Sequence, residues 1–441
     1  MDEFSLDPRF IELQEELRTV LLDSTKQPEP ESADAGETEQ SQSRLDLSRV
    51  PISKIKMVNY LKNWIVECAP YLDKFDEERN FGIRVPLLAQ NSPALLYAML
   101  AFSARQMERK AYPQKNHDSL QLYQESIRLL ASSLPTKDPD MLVTACILAV
   151  LELMSGNPHS WRRHIEGCAG LFDLFGVNGL SGGLLQAVFW CYARMELCGA
   201  IISRGAESTV LPLEKWVPPV AVGSLPKHLS EDLIKSMFLE KSREAPSMHG
   251  NWAVYLCARA CDLLHRRTRQ LELDTPDETD TRSFFDQWHR LWADLQYWLD
   301  ARPPLLQPLR RPTTDKQPLF PLIIFNHWAA ISSTQSYHAA CILMLEMVPS
   351  EAVLLAPYNS PTWHARRICG ISQSNPHYAN LINSIQPLYL AGRLLSHPSE
   401  HIEIARILKF IETATGWGAL WRLRDLELEW GYEPDEILNA T

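Results

Sequence analysis

From Met141 to Met154 the chain is apolar on nearly every side of a helix, with Leu142, Val143, Ala145, Ile147, Leu148, Val150 and Leu151 leaving no polar face. A helix of that kind is stable only when other elements surround it. The run is shorter than the roughly 18 apolar residues that a membrane span needs, and it carries Glu152. The segment 138–155 therefore predicts the centre of a folded bundle.

Helical apolar spacing recurs on both sides of it, over 54–72, 92–111, 117–134, 158–176, 181–203, 252–272, 281–300, 318–347, 362–374, 378–396, 400–415 and 418–430. There is no strand–helix alternation, no internal repeat and no sustained heptad. The predicted fold class is all-α, a large multi-helix domain over 51–435 with a short tail at 436–441. Ser92-Pro93 reads as a helix start, and Gly156 and Gly416 read as left-handed helix ends, the first followed by Asn157-Pro158. The stretches 204–250 and Arg302 to Pro318 read as long loops.

Residues 1–50 form an acidic N-terminal segment. Within it, 8–23 predict one amphipathic helix, with Phe10, Leu13, Leu17, Val20 and Leu21 at helical spacing. Ser24 to Arg49 are rich in Glu, Ser, Gln and Pro and predict disorder, because too little apolar surface is present to offset the entropy of ordering.

The 441 residues carry a formal net charge of −11. Residues 1–50 hold 13 acidic and 5 basic side chains, a net of −8, which leaves −3 for the rest. The globular part has no basic excess to draw it onto phosphates, and the acidic head repels nucleic acid and anionic membrane. Nine cysteines at irregular spacing, mostly in apolar stretches, predict a reducing compartment and thiols that pack as small hydrophobes. The acidic opening Met1-Asp2-Glu3 does not read as a signal peptide.

A search for chemistry finds letters without context. Gly179-Leu180-Ser181-Gly182-Gly183 spells a nucleophile elbow, but that turn needs a strand entering it, and the preceding segment reads as helix. His397 and His401 are four apart with Pro398 between them, so they read as surface or capping histidines rather than zinc ligands. Cys257 and Cys261 share a helix face and read as core thiols. Arg266, Arg267 and Arg269 read as a solvated helix end, although basic knots also serve as nuclear-import signals. Asp425, Glu427 and Glu429 read as a charged outer face, with Leu426, Leu428 and Trp430 supplying the apolar one. The 13 Trp residues, including Trp161, Trp190, Trp363, Trp417, Trp421 and Trp430, read as core anchors. No residue is assigned as catalytic, cofactor-binding or metal-binding.

Several phrases, taken in order, resemble the fungal-specific transcription factor domain, the regulatory region of fungal zinc binuclear cluster transcription factors. Central to the resemblance is Ser160-Trp161-Arg162-Arg163-His164-Ile165-Glu166-Gly167, which follows a long apolar helix and a Ser-Gly break. Pro70-Tyr71-Leu72-Asp73, Ser92 to Ala98 and Ser103-Ala104-Arg105 are similar to the opening helices. Ala365 to Ile371, Gln386 to Gly392 and Gly416 to Tyr432 are similar to the later blocks. The resemblance covers roughly residues 51–435. In physical terms Trp161 reads as a buried anchor near a helix start, Arg162, Arg163 and His164 as its polar side, and Gly167 as the point where a neighbouring helix comes close.

The resemblance implies an all-helical, nuclear, regulatory protein rather than an enzyme. Its family normally joins this region to a zinc cluster, yet residues 1–50 contain no cysteine and the sequence has no C-x-x-C. The expectation is a transcriptional regulator acting through a protein partner, a homodimer or a small ligand, with no zinc cofactor and no direct DNA binding of its own. The alternatives are a cofactor-like or shortened member that senses a hydrophobic ligand and, more remotely, a hydrolase.

Overall fold

The computed structural model describes residues 7–26, 50–110, 118–133, 138–155, 158–219, 225–274, 277, 279–309 and 318–441, with the backbone alone at 23–26, 133 and 158–164. Among the described residues there are helices and turns but no strand. The helices are α1 (Pro8–Lys26), α2 (Lys54–Asn63), α3 (Ala69–Leu72), α4 (Asn80–Leu88), α5 (Pro93–Lys110), α6 (Asp118–Ser133), α7 (Asp140–Ser155), α8 (Pro158–Phe175) and α9 (Gly183–Ser203). They continue as α10 (Lys227–Glu244), α11 (Ser247–Leu273), α12 (Phe284–Asp300), α13 (Trp328–Glu346), α14 (Pro361–Ser374), α15 (Tyr378–Gly392), α16 (Pro398–Thr415), α17 (Leu420–Trp430) and α18 (Glu436–Asn439).

Two hubs organise the bundle. The all-apolar α7 is enclosed by α5, α6, α8 and α9, as a helix without a polar face requires. The second hub, α13, is buried from Ala329 to Leu345 apart from Ser336 and packs against α11, α12, α14 and α15. A single turn, Asp73–Phe75, is wedged between the two, touching α9, α11 and α13. It follows a π-helical turn, Trp64–Cys68, that joins α2 to α3. Gly416 ends α16 in the left-handed conformation (φ 76°), as its position in the sequence suggested. Helix α9 has the length and hydropathy of a membrane span, but 72% of that window is buried inside the fold.

Three segments depart from the sequence reading. Within 204–250, where the sequence reads as loop, lies α10; it is rich in charge and buries few apolar side chains, chiefly Ile234 and Phe238, so its period is faint. Helix α4 carries Pro86 within its nine residues and was likewise not anticipated. Residues 318–327 are irregular rather than helical. Pro318 and Pro321 disfavour helix there, while Phe320, Ile323 and Phe325 still reach the core. The expected disorder of Ser24 to Arg49 and the Gly156 cap lie almost wholly outside the described residues.

Helix α1 lies across α6 and α8, burying Phe10, Leu13, Leu17 and Leu21. Gly167 of α8 makes that approach close, since a Cβ placed there would sit 2.8 Å from Leu21 Cβ. Gly167→Ala is therefore expected to cost about 1–3 kcal/mol by overpacking. It should loosen α1 selectively, read as faster amide exchange over residues 8–22 than over α7. Unchanged exchange there would contradict this packing.

Beneath α1, Glu152 of α7 is buried and accepts a hydrogen bond from the Tyr123 hydroxyl. Burial pushes its carboxyl up from 4.5 to about 8. Between those values the native state keeps a proton that the unfolded chain has lost, so stability falls as pH rises towards about 8 and levels off above it. Glu152→Gln should flatten that slope and melt at a higher temperature than the native sequence at pH 8 and above. Parallel melting curves across this range would refute the assignment.

Candidate functional site

The packing leaves two small, mainly apolar cavities beside the wedged turn. Between α3, α7, α9, α15 and the start of α17 lies a cavity of about 60 Å3, with Val150, Leu153, Met195, Ile382, Ile385 and Trp417 among its walls. A second cavity of about 30 Å3 lies towards α11 and α13, against Phe75, Leu197, Ile201, Val254 and Ser332. Arg194, Cys198, Asn383 and Gln386 border both, so Arg194 of α9 stands where the two chambers meet.

Arg194 is only 9% exposed. Its Nη2 donates to the Leu72 carbonyl at 3.0 Å, and its guanidinium lies 5.2 Å from the centre of the Phe75 ring. Burial lowers its pKa, yet a guanidinium remains protonated at neutral pH. Lys74, in the wedged turn, is fully buried and its Nζ has no hydrogen-bond partner. Burial, reinforced by the Arg194 charge, pushes that ammonium well below its usual range. Among the described residues neither cation makes an ion pair.

The adjacent Asp73 favours the Arg194 charge without pairing directly with it. Its carboxylate accepts from the Phe81 and Gly82 amides at 2.7 and 2.8 Å, and burial pushes it up to about 7. Two wall atoms, Trp417 Nε1 and Ser332 Oγ, are buried without a hydrogen-bond partner. Gln386 Oε1 is taken by Arg422 Nε at 3.0 Å, which leaves Gln386 its amide donors. Arg422 is itself packed between Tyr389 and Trp421, 4.1 and 4.0 Å from their ring centres.

A larger polar cavity of about 340 Å3 lies between α10, α11 and α12. Its charges answer one another: Arg282 binds Glu231 and Asp280, and Arg259 binds Glu231 and Asp294. This lattice ties the three helices together. Elsewhere, His338 and His364 meet through their Nδ1 atoms at 2.8 Å, and burial holds both well below the usual histidine range. Among the described residues no three His, Cys, Asp or Glu side chains converge as metal ligands.

The residues singled out in the sequence are dispersed. Ser181 sits in the loop between α8 and α9, its Oγ accepting from the Asn178 amide, with a helix and not a strand ahead of it. His397 caps α16, accepting from the Ser399 amide, and Pro398 is the first residue of that helix. His401 is not on the surface; it is buried and stacks on Trp430 at 4.0 Å. Cys257 and Cys261 are core thiols. Arg266 is no solvated end, since it is pinned by Asp262, Asp277 and Gln287.

Glu427 is the clearest reversal. Read as part of an outer charged face, it is fully buried and accepts from the Asp435, Ile437 and Leu438 amides. Leu428, assigned to the apolar face, is 69% exposed. The side chains of Trp161, Arg162, Arg163 and His164 lie outside the described residues. Arg194 and Lys74 were missed altogether. Arg194 had a signal, being the one cation in the mainly apolar α9, where Glu196 is the one carboxylate; Lys74 had none.

Residues 59–429 match the family described as the fungal specific transcription factor domain, and the chain belongs to that family. It is similar to Transcription activator AMTR1 of Alternaria alternata, 29% identical over 360 aligned residues covering 67% of this chain and 44% of that protein. The chain thus corresponds to less than half the length of that relative. No solved structure matches it.

Proposed function

We propose that this chain is the regulatory part of a transcription regulator, and that a small molecule held at the Arg194 cavities sets which partner surfaces it presents. The observation that carries the reading is the family match across most of the helical bundle, 59–429. The name of the Alternaria relative, a transcription activator, supports activation as the sign of regulation. On this reading the protein works in the nucleus, without catalysis, by docking a component of the transcription machinery or a second copy of itself. Promoter recognition is supplied by a DNA-binding module or partner other than residues 1–441, which carry no zinc-cluster cysteine pattern.

The test is a reporter assay in a fungal host. Residues 1–441 are fused to a heterologous DNA-binding module, and transcription from its operator is compared with that from the module alone. A severalfold change is expected. Equal output from the fusion and the module alone in rich, minimal and stressed cultures would reject the regulatory reading.

A further inference from the structure

We propose that the paired cavities at Arg194 form a site for a small monocarboxylate, with the acid group against the guanidinium and an apolar body in the larger chamber. This deepens the regulatory reading and rests on it for its biological meaning. The binding itself is argued from the side chains.

Several polar groups bordering the chambers can donate, beside Asn383, Tyr71 and Ser336, which can both donate and accept. Arg194 has donors only, Trp417 Nε1 can only donate, Gln386 has its oxygen already engaged, and Ser332 has a hydroxyl with no partner. An ionised carboxylate accepts and does not donate, so it is the complement of this set. It would also offset the cost of a buried guanidinium that makes no direct ion pair among the described residues and feels only the neighbouring Asp73 carboxylate. One dominant cation selects a single negative charge, which disfavours phosphate monoesters and dicarboxylates.

Size narrows the class further. A water occupies about 10–15 Å3 of such space. The chambers, at about 60 and 30 Å3, therefore hold a few water-sized groups each. The fit is a carboxylate joined to a short branched chain or one ring; a sterol is far too large. Val150, Leu153, Met195, Ile382 and Ile385 make the larger chamber the place for that body.

The experiment uses the full chain and four probes: 3-methylbutanoate and benzoate, with their neutral amides 3-methylbutanamide and benzamide, at matched ionic strength. Calorimetric titration should show at least one acid binding roughly tenfold or more tighter than its amide, a difference of about 1.4 kcal/mol. Arg194→Met should erase that preference. It also removes a buried unpaired charge, so the variant should melt no lower than the native chain; if it does not fold, Arg194→Lys provides the second variant and should weaken acid binding severalfold.

The site is refuted if neither acid binds below about 10 mM, if the amides bind equally well, or if the preference survives removal of the guanidinium. A reporter fusion that remains active while all four probes fail would overturn this site and leave the regulatory reading standing. A silent fusion with tight acid binding would do the reverse.

Discussion

Gly370→Ala is expected to be the most damaging single-methyl addition in the bundle, costing more than about 3 kcal/mol. A Cβ at this position in α14 would lie 2.1 Å from the Pro321 carbonyl oxygen. That oxygen belongs to backbone in the irregular segment ahead of α13. Ile323 and Phe325 donate their amides there to Ser374 and Asn375 at the end of α14. The segment cannot retreat without giving up those bonds and the burial of Phe320. Gly392→Ala is the natural control, because its Cβ meets side chains rather than backbone, the tips of Leu426 at 2.9 Å and the edge of the Trp430 ring at 3.3 Å. The leucine tips can rotate, so a loss nearer 1 kcal/mol is expected. Chemical denaturation of both variants reads the difference, and a Gly370→Ala protein as stable as Gly392→Ala would show that α14 does not approach Pro321 so closely.

Trp298→Ala should cost about 3–5 kcal/mol. The ring of Trp298, in α12, is fully buried, stacked on Tyr337 at 5.4 Å and on His249 at 5.1 Å. It also closes a reciprocal pair, with its Nε1 donating to the His249 carbonyl at 2.9 Å while His249 Nε2 meets the Trp298 carbonyl at 3.0 Å. Truncation removes the packing that joins α11, α12 and α13 and leaves a buried carbonyl without its donor. Trp298→Phe keeps most of the ring area and forfeits only the indole donor, for roughly 1–2 kcal/mol. Equal losses in the two variants would assign the stabilisation to the hydrogen bond rather than to the volume.

How much could be read in advance depended on whether a residue's neighbours lay close by in the chain. The surroundings of α7 were legible because its own composition demands burial on all sides. The Gly416 helix end and the close approach at Gly167 were legible because a glycine at a helix end or facing a neighbouring helix has few other reasons to be there. Helix α10 was obscured by charges whose partners, such as Arg259 and Arg282 for Glu231, stand on other elements. Residues 318–327 kept a helical apolar rhythm that their prolines overrode. Glu427 was unreadable as a buried group, since its three partners are backbone amides of residues 435–438. At the candidate site the apolar walls follow from helix periodicity. That Arg194 and Lys74 make no direct ion pair among the described residues depends instead on where the tertiary fold turns its carboxylates, Asp73 included.

The loop after α16 bears on how deletion mapping of this protein should be interpreted. Gln106 Nε2 donates to the Thr415 carbonyl at 3.0 Å, Arg109 donates to that of Gly416, and Trp417 meets Tyr71 and Phe102 at 6.3 Å each. Cutting the chain before residue 415 would therefore strip the lid from α5, some 300 positions upstream. A shortened protein that loses activity would be reporting a collapsed scaffold, so boundaries drawn from such a series would not mark separable functional units. Point substitutions on intact chains are the sounder instrument here.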